Sequence, residues 1–305
     1  MTATVTNSTQ VVSPQQPKIS VENPYRALLA QSPHNDARSL YSAHRTARST
    51  AQRALVLDPV VPFKTDPVLS AILQHDPPDF SIDTRHNLTV WARPSPEVYE
   101  LVALVQKKLR EAVGGDDQGI WFPPPDAQHM TVFEIASGLT APALRPVIDA
   151  LRPHAAALTS PYLACAPSSA SAAKTAPALD TPTLNVDLSG IALSFLPAAS
   201  NAGEGTRAPS ILDLRAAMWD TAARAGVLAA PRYALPSAHV TVGRFVSHKG
   251  GEGPGMERKA WVRLLDEING ELEGWKGVWR VEKMVLRGEV SWYGGGVDVT
   301  ADGKA

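Results

Sequence analysis

The chain has 305 residues, 44% of them hydrophobic, which suffices for one large domain or two small ones. Lys and Arg number 29 against 30 Asp and Glu, a net charge of -1, which excludes a wholly basic nucleic-acid binder but leaves room for a local basic groove. The single cysteine, Cys165, excludes an internal disulfide and a cysteine-based zinc site, and it fits a reducing compartment.

The first 17 residues have neither a basic start nor an apolar run, so no signal peptide is expected. The longest apolar stretches fall far short of the roughly 20 residues that a membrane span needs. A cytoplasmic or nuclear protein with no membrane partner follows as the expectation. Residues 1–35 are rich in Ser, Thr, Gln and Pro and read as a disordered tail, whose deletion should leave stability almost unchanged. Residues 36–85 read as a helical and proline-rich extension. Within it a polar helix carrying Arg38, Arg45, Arg48 and Arg53 reads as a solvated arm lying on the main domain, and a short helix is expected near 67–74.

Regular alternation begins at Asn87 and runs to Tyr293. Leu88, Val90 and Trp91 predict a strand stopped by Pro94. Ser95 and Pro96 then open a helix with Val98, Leu101, Val102, Val105 and Leu109 at helical spacing, ended by Gly114 and Gly115. Strands are expected at 120–122 and 129–135, and a helix at about 146–158. The Ala, Ser and Pro-rich stretch 164–182 reads as a flexible loop. Two β runs follow around Gly190, then a helix capped by Ser210, a strand at 239–246, an amphipathic helix around Trp261 and Leu265, and strands over 279–293. Residues 294–305 read as a disordered tail. Strands and helices alternate, so the expected class is α+β or α/β.

Two of the strands carry the chemistry. One contains His129-Met130-Thr131-Val132 and the other His239-Val240-Thr241-Val242, each with a proline shortly before. On a strand, residues i and i+2 share a face, so each histidine projects beside its threonine while the apolar neighbours point the other way. A hydroxyl can hydrogen-bond a phosphate oxygen while an imidazole beside it exchanges a proton with the attacking or leaving oxygen. A third His-x-Thr, His44-Arg45-Thr46, lies in a polar segment without β pattern and is assigned to chance. His34, His75, His86, His154 and His248 read as surface or loop residues. No His-Glu-x-x-His or carboxylate at metal-ligand spacing stands beside His129 and His239, so neither metal nor cofactor is expected. Arg244, just after the second motif, is the best further candidate for substrate binding. Trp121 and Tyr293 are assigned to packing.

With these residues the sequence resembles the 2H phosphoesterases, the RNA ligase/cyclic nucleotide phosphodiesterase (LigT-like) superfamily, and within it a fungal-type branch whose domain opens with a strand like 87–94. The resemblance covers residues 86–293. It implies an internally duplicated, two-lobed α+β fold, with two mainly antiparallel sheets facing a central cleft and helices outside. It further implies a metal-independent phosphodiesterase acting on a ribose cyclic phosphate, with His129 and His239 as acid and base and Thr131, Thr241 and Arg244 holding substrate. The substrate would be a small nucleotide or an RNA 3′ end, and the enzyme a monomer. A 3′-exonuclease trimming RNA ends and a non-catalytic nucleotide- or RNA-binding module stand as alternatives.

Overall fold

A computed structural model describes residues 10–11, 22–31, 36–115, 119–165, 175–199, 208–229, 231, 236–246 and 253–300. Short polar side chains start the helices by accepting from backbone N–H groups that have no partner within the helix. Asn23 does so for α1 (Pro24–Ala30), Asp36 for α2 (Ala37–Leu57) and Asp66 for α3 (Pro67–Ile72). α4 (Pro96–Val113) opens on its proline and stops at Gly114, which is left-handed at φ +84°. α5 (Ala141–Leu151) and the single turn α6 (Ala155–Leu158) follow. A reciprocal Ser210–Asp213 capping box opens α7 (Ile211–Arg224), and Glu257 caps α8 (Arg258–Leu272).

The strands are β1 (Gln10–Val11), β2 (His86–Ala92), β3 (Ile120–Trp121), β4 (Met130–Leu139), β5 (Ala178–Val186) and β6 (Gly190–Pro197), then β7 (Val227–Leu228), β8 (Ala238–Phe245), β9 (Trp279–Arg280), β10 (Met284–Glu289) and β11 (Val297–Asp298). All pair antiparallel. β1 joins β7, one sheet runs β11-β10-β2-β4, and the other runs β3-β8-β6-β5-β9. The protein is thus a mixed helix and sheet fold with two antiparallel sheets, one curled into a half-barrel. The strand with the first motif, β4, is an edge, and it packs beside β8, which carries the second motif between β3 and β6. Buried residues of both sheets, among them Leu88, Val90, Val132, Val240 and Val242, belong to one continuous core.

The helix expected at about 146–158 starts earlier, at Ala141, and breaks after Leu151, and the strands expected over 279–293 end at Glu289. Three domain boundaries also differ from the sequence reading. Residues 1–35 are not wholly tail: α1 buries Tyr25 and Leu29 in the core, and Asn23 Nδ2 donates to the Ala216 carbonyl at 2.9 Å and to Asp220 at 2.8 Å. Two large side chains at i and i+4 give this short helix an apolar face, which the polar average of the segment concealed. The loop placed at 164–182 ends earlier, because β5 begins at Ala178. Pro182 is tolerated there at a register shift between Asp180 and Thr183, with Thr181 at φ +50°. The tail placed at 294–305 contains β11, and Val299 is buried. Gly294, at φ +99°, lies against Ala127 so closely that a Cβ would collide with it. Residues 166–174, the middle of the proposed loop, lie outside the described residues.

Candidate active site

His129 precedes β4 directly, and its side chain is fixed twice. Its ring stacks on Trp91 of β2, with centroids 3.6 Å apart and planes 9° from parallel. Its Nδ1 lies 2.8 Å from the Ala127 carbonyl. A carbonyl oxygen only accepts, so Nδ1 carries the hydrogen and Nε2 of the neutral ring is a free acceptor. His239, in β8 opposite Ser194 of β6, has its Nδ1 3.1 Å from Ser237 Oγ. A hydroxyl donates or accepts, so that contact permits either tautomer. Met130, Val132, Val240 and Val242 are buried while Thr131 and Thr241 are half-buried, which is the alternation the two motifs predict.

These residues meet. His129, Thr131, His239, Thr241 and Arg244 all line one cavity of about 430 Å³. Burial pushes the His129 imidazole down to about 3, assisted by the nearby charges of Arg93 and Arg244, while its bond to the Ala127 carbonyl pulls the other way. Burial likewise lowers His239 to about 4, with Arg215, Arg48 and Arg244 contributing and Asp187 opposing. The His239 ring is open to the cavity, so water there moderates its depression more than that of His129, half-buried on Trp91. Both rings are therefore neutral at pH 7 in the free protein.

Arg244 reaches the cavity with Nη1 3.9 Å from Asp66 and its guanidinium 5.8 Å from the Tyr293 ring. Tyr293 donates to Asp66 at 2.8 Å and accepts from Arg85 at 2.8 Å. Trp121 packs edge-on to Tyr293 at 6.1 Å, and both line the cavity rather than serving as packing alone. No protein-family model and no curated protein matches the chain. Among the described residues no group of three or more His, Cys, Asp and Glu is arranged to hold a metal ion, and no helix is long and apolar enough to cross a membrane.

Sequence reasoning missed part of the site. Arg215 of α7 is buried and reaches both motif strands: Nε donates to the Val132 carbonyl at 2.7 Å, and Nη2 donates to the Ser237 carbonyl at 2.7 Å. Its Nη1 donates to Tyr41 Oη of α2 at 2.7 Å. One guanidinium thus spaces the two histidine strands, using the planar fork that lysine lacks. The available signal was its spacing, since Arg215 sits on the apolar stripe of Ile211, Met218 and Ala222. α2 is not a solvated arm either, because Tyr41, His44, Arg45, Arg48 and Ser49 line the same cavity. His44, set aside with its chance His-x-Thr, is a wall of the site.

Proposed function

We propose that the protein is a 2H phosphoesterase that hydrolyses a ribose cyclic phosphate without a metal ion, with the two sheets as the lobes of a duplicated fold and the cavity as the cleft between them. The observation that carries this reading is the convergence of two His-x-Thr pairs, one from each sheet, on a single cavity. In this scheme the threonine hydroxyls and Arg244 hold the non-bridging oxygens of the phosphate. Nε2 of His129, the free acceptor, takes a proton from water as the water oxygen bonds to phosphorus. The bond from phosphorus to a ribose oxygen breaks, and Nε2–H of His239 protonates that oxygen. The product is a phosphomonoester.

The depressed histidines add a condition to this scheme. An anion placed between two imidazoles favours their charged forms, so substrate itself raises their proton affinity toward the neutral pH range. Binding is then coupled to proton uptake, and the acid is armed only when phosphate is present. The cavity volume lies within the range of small-ligand sites, which favours a nucleotide or a single RNA terminus over a long chain. The test is a panel of nucleoside 2′,3′-cyclic phosphates, 3′,5′-cyclic nucleotides and short RNAs, each assayed with and without EDTA. Opening of a cyclic phosphate that persists in EDTA is expected. Activity lost on chelation and restored by a divalent ion would contradict the metal-free scheme, and trimming of RNA ends alone would favour the exonuclease.

A further inference from the structure

The inner face of α2 is the least expected wall of the cavity. Tyr41, His44, Arg45, Arg48 and Ser49 recur at i, i+3, i+4, i+7 and i+8, which is one face of a helix, and that face is polar and basic where a packed helix would be apolar. Arg38 and Arg53 hold the helix down from outside the cavity, through Asp180 at 2.6 Å and Asp266 at 2.5 Å. Arg45 and Arg48 are therefore not needed as its only straps.

Both arginines keep donors to spare among the described residues. Arg48 Nη2 donates to Asp187 at 2.9 Å, and Asp187 is itself fixed by the Ser189 and Gly190 amides at 2.8 and 3.1 Å, leaving Nε and Nη1 of Arg48 unused. Arg45 donates through Nη1 to the Thr181 carbonyl at 2.8 Å, and burial, with the Arg38 charge second, weakens its hold on its proton. A guanidinium buttressed by a fixed carboxylate is pre-organised for an anion, and its fork matches phosphate geometry. The charge balance agrees. Four arginines, Arg45, Arg48, Arg215 and Arg244, line the cavity against two carboxylates, Glu134 and Asp187. With the histidines neutral, the described lining is positive by two charges, and a cyclic phosphodiester supplies only one negative charge.

We infer that Arg45 and Arg48 form a second anion subsite, which takes a phosphate of the nucleotide other than the one held between His129 and His239. This rests on the phosphate reading of the histidine pair and makes the preferred ligand a nucleotide with two phosphate groups. The second is either a 5′-phosphomonoester or the 5′-linked phosphodiester of a short RNA end.

Calorimetric titration tests this without turnover. The full-length protein is titrated with adenosine 3′-monophosphate, adenosine 3′,5′-bisphosphate and the dinucleotide ApA 3′-phosphate. The bisphosphate, the dinucleotide or both should bind about tenfold or more tightly than the monophosphate. The one that does identifies the source of the second phosphate. Arg48→Gln and Arg45→Gln should each collapse that ratio toward one, Arg48→Lys should recover it in part, and Arg53→Gln, which alters α2 outside the cavity, should preserve it. A ratio near one in the wild-type protein overturns the subsite, as does a ratio that survives both glutamine variants. A collapse in Arg53→Gln as well would also overturn it, by showing that only helix docking is being read. A preserved ratio with no cyclic-phosphate turnover keeps the subsite and removes the enzyme, whereas turnover with a ratio of one does the reverse.

Discussion

At the scale of single residues, the His129 ring does the most to define the chemistry. Its stacking on Trp91 and its bond to the Ala127 carbonyl leave one free nitrogen aimed by two constraints, and removing either loosens that nitrogen. Its depressed affinity for protons also has a consequence for stability. The unfolded chain binds a proton on His129 near its ordinary value of about 6.5, while the folded protein does so only near 3. Between those limits the unfolded state holds more protons, so stability rises with pH. The contribution is complete above about pH 6.5 and is lost as pH falls toward about 3. Melting temperatures from pH 7.5 to 4.5 should therefore fall more steeply for the wild-type protein than for His129→Asn. Parallel curves would show that the histidine is not held neutral by the fold. The motif pairs themselves were legible because period-two alternation is local, and Met130, Val132, Val240 and Val242 are buried as that alternation requires.

Elements are placed by contacts that local patterns do not encode. α1 was hidden because it is only seven residues long, and nothing near Tyr25 and Leu29 in sequence announces the α7 surface that the helix meets. Burying two such side chains is worth about 3 kcal/mol or more, so deletion of residues 1–35 should lower the melting temperature by several degrees. An unchanged melting curve would restore the reading of that segment as tail. The polar face of α2 was visible in the sequence, but a polar face turned to solvent and one turned to a wet cavity read alike. Arg215 ties these elements together. Arg215→Met leaves the Val132 and Ser237 carbonyls and Tyr41 without their charged partner, a loss of about 3 kcal/mol or more in stability. As a positioning residue it should also matter to kcat, through the spacing of the two strands and through the charge it sets beside His239. Arg215→Lys, which keeps the charge but cannot bridge both strands, should fail to restore kcat. Full rescue by lysine would assign Arg215 an electrostatic role alone.

In the whole molecule, two sheets bring one histidine each to a shared cavity, with α2 as a third wall. The mixture of helix and sheet and the two motif strands were legible in the sequence. The tertiary closure of the cavity did not, since α2 and Arg215 lie far along the chain from the residues they reach. If that closure makes a catalytic pair, then His129 and His239 act on one phosphate and fail as a unit. The most direct measurement is the steady-state hydrolysis of a nucleoside 2′,3′-cyclic phosphate, in EDTA, by the wild-type protein, His129→Ala, His239→Ala and the double variant, each with its melting curve. Each single change should lower kcat by about 10²-fold or more, since such proton transfers are typically worth 10²–10⁴-fold. The double variant should be less impaired than the product of the single losses, because groups that act together are not additive. Full activity in either single variant with the fold intact would contradict the account.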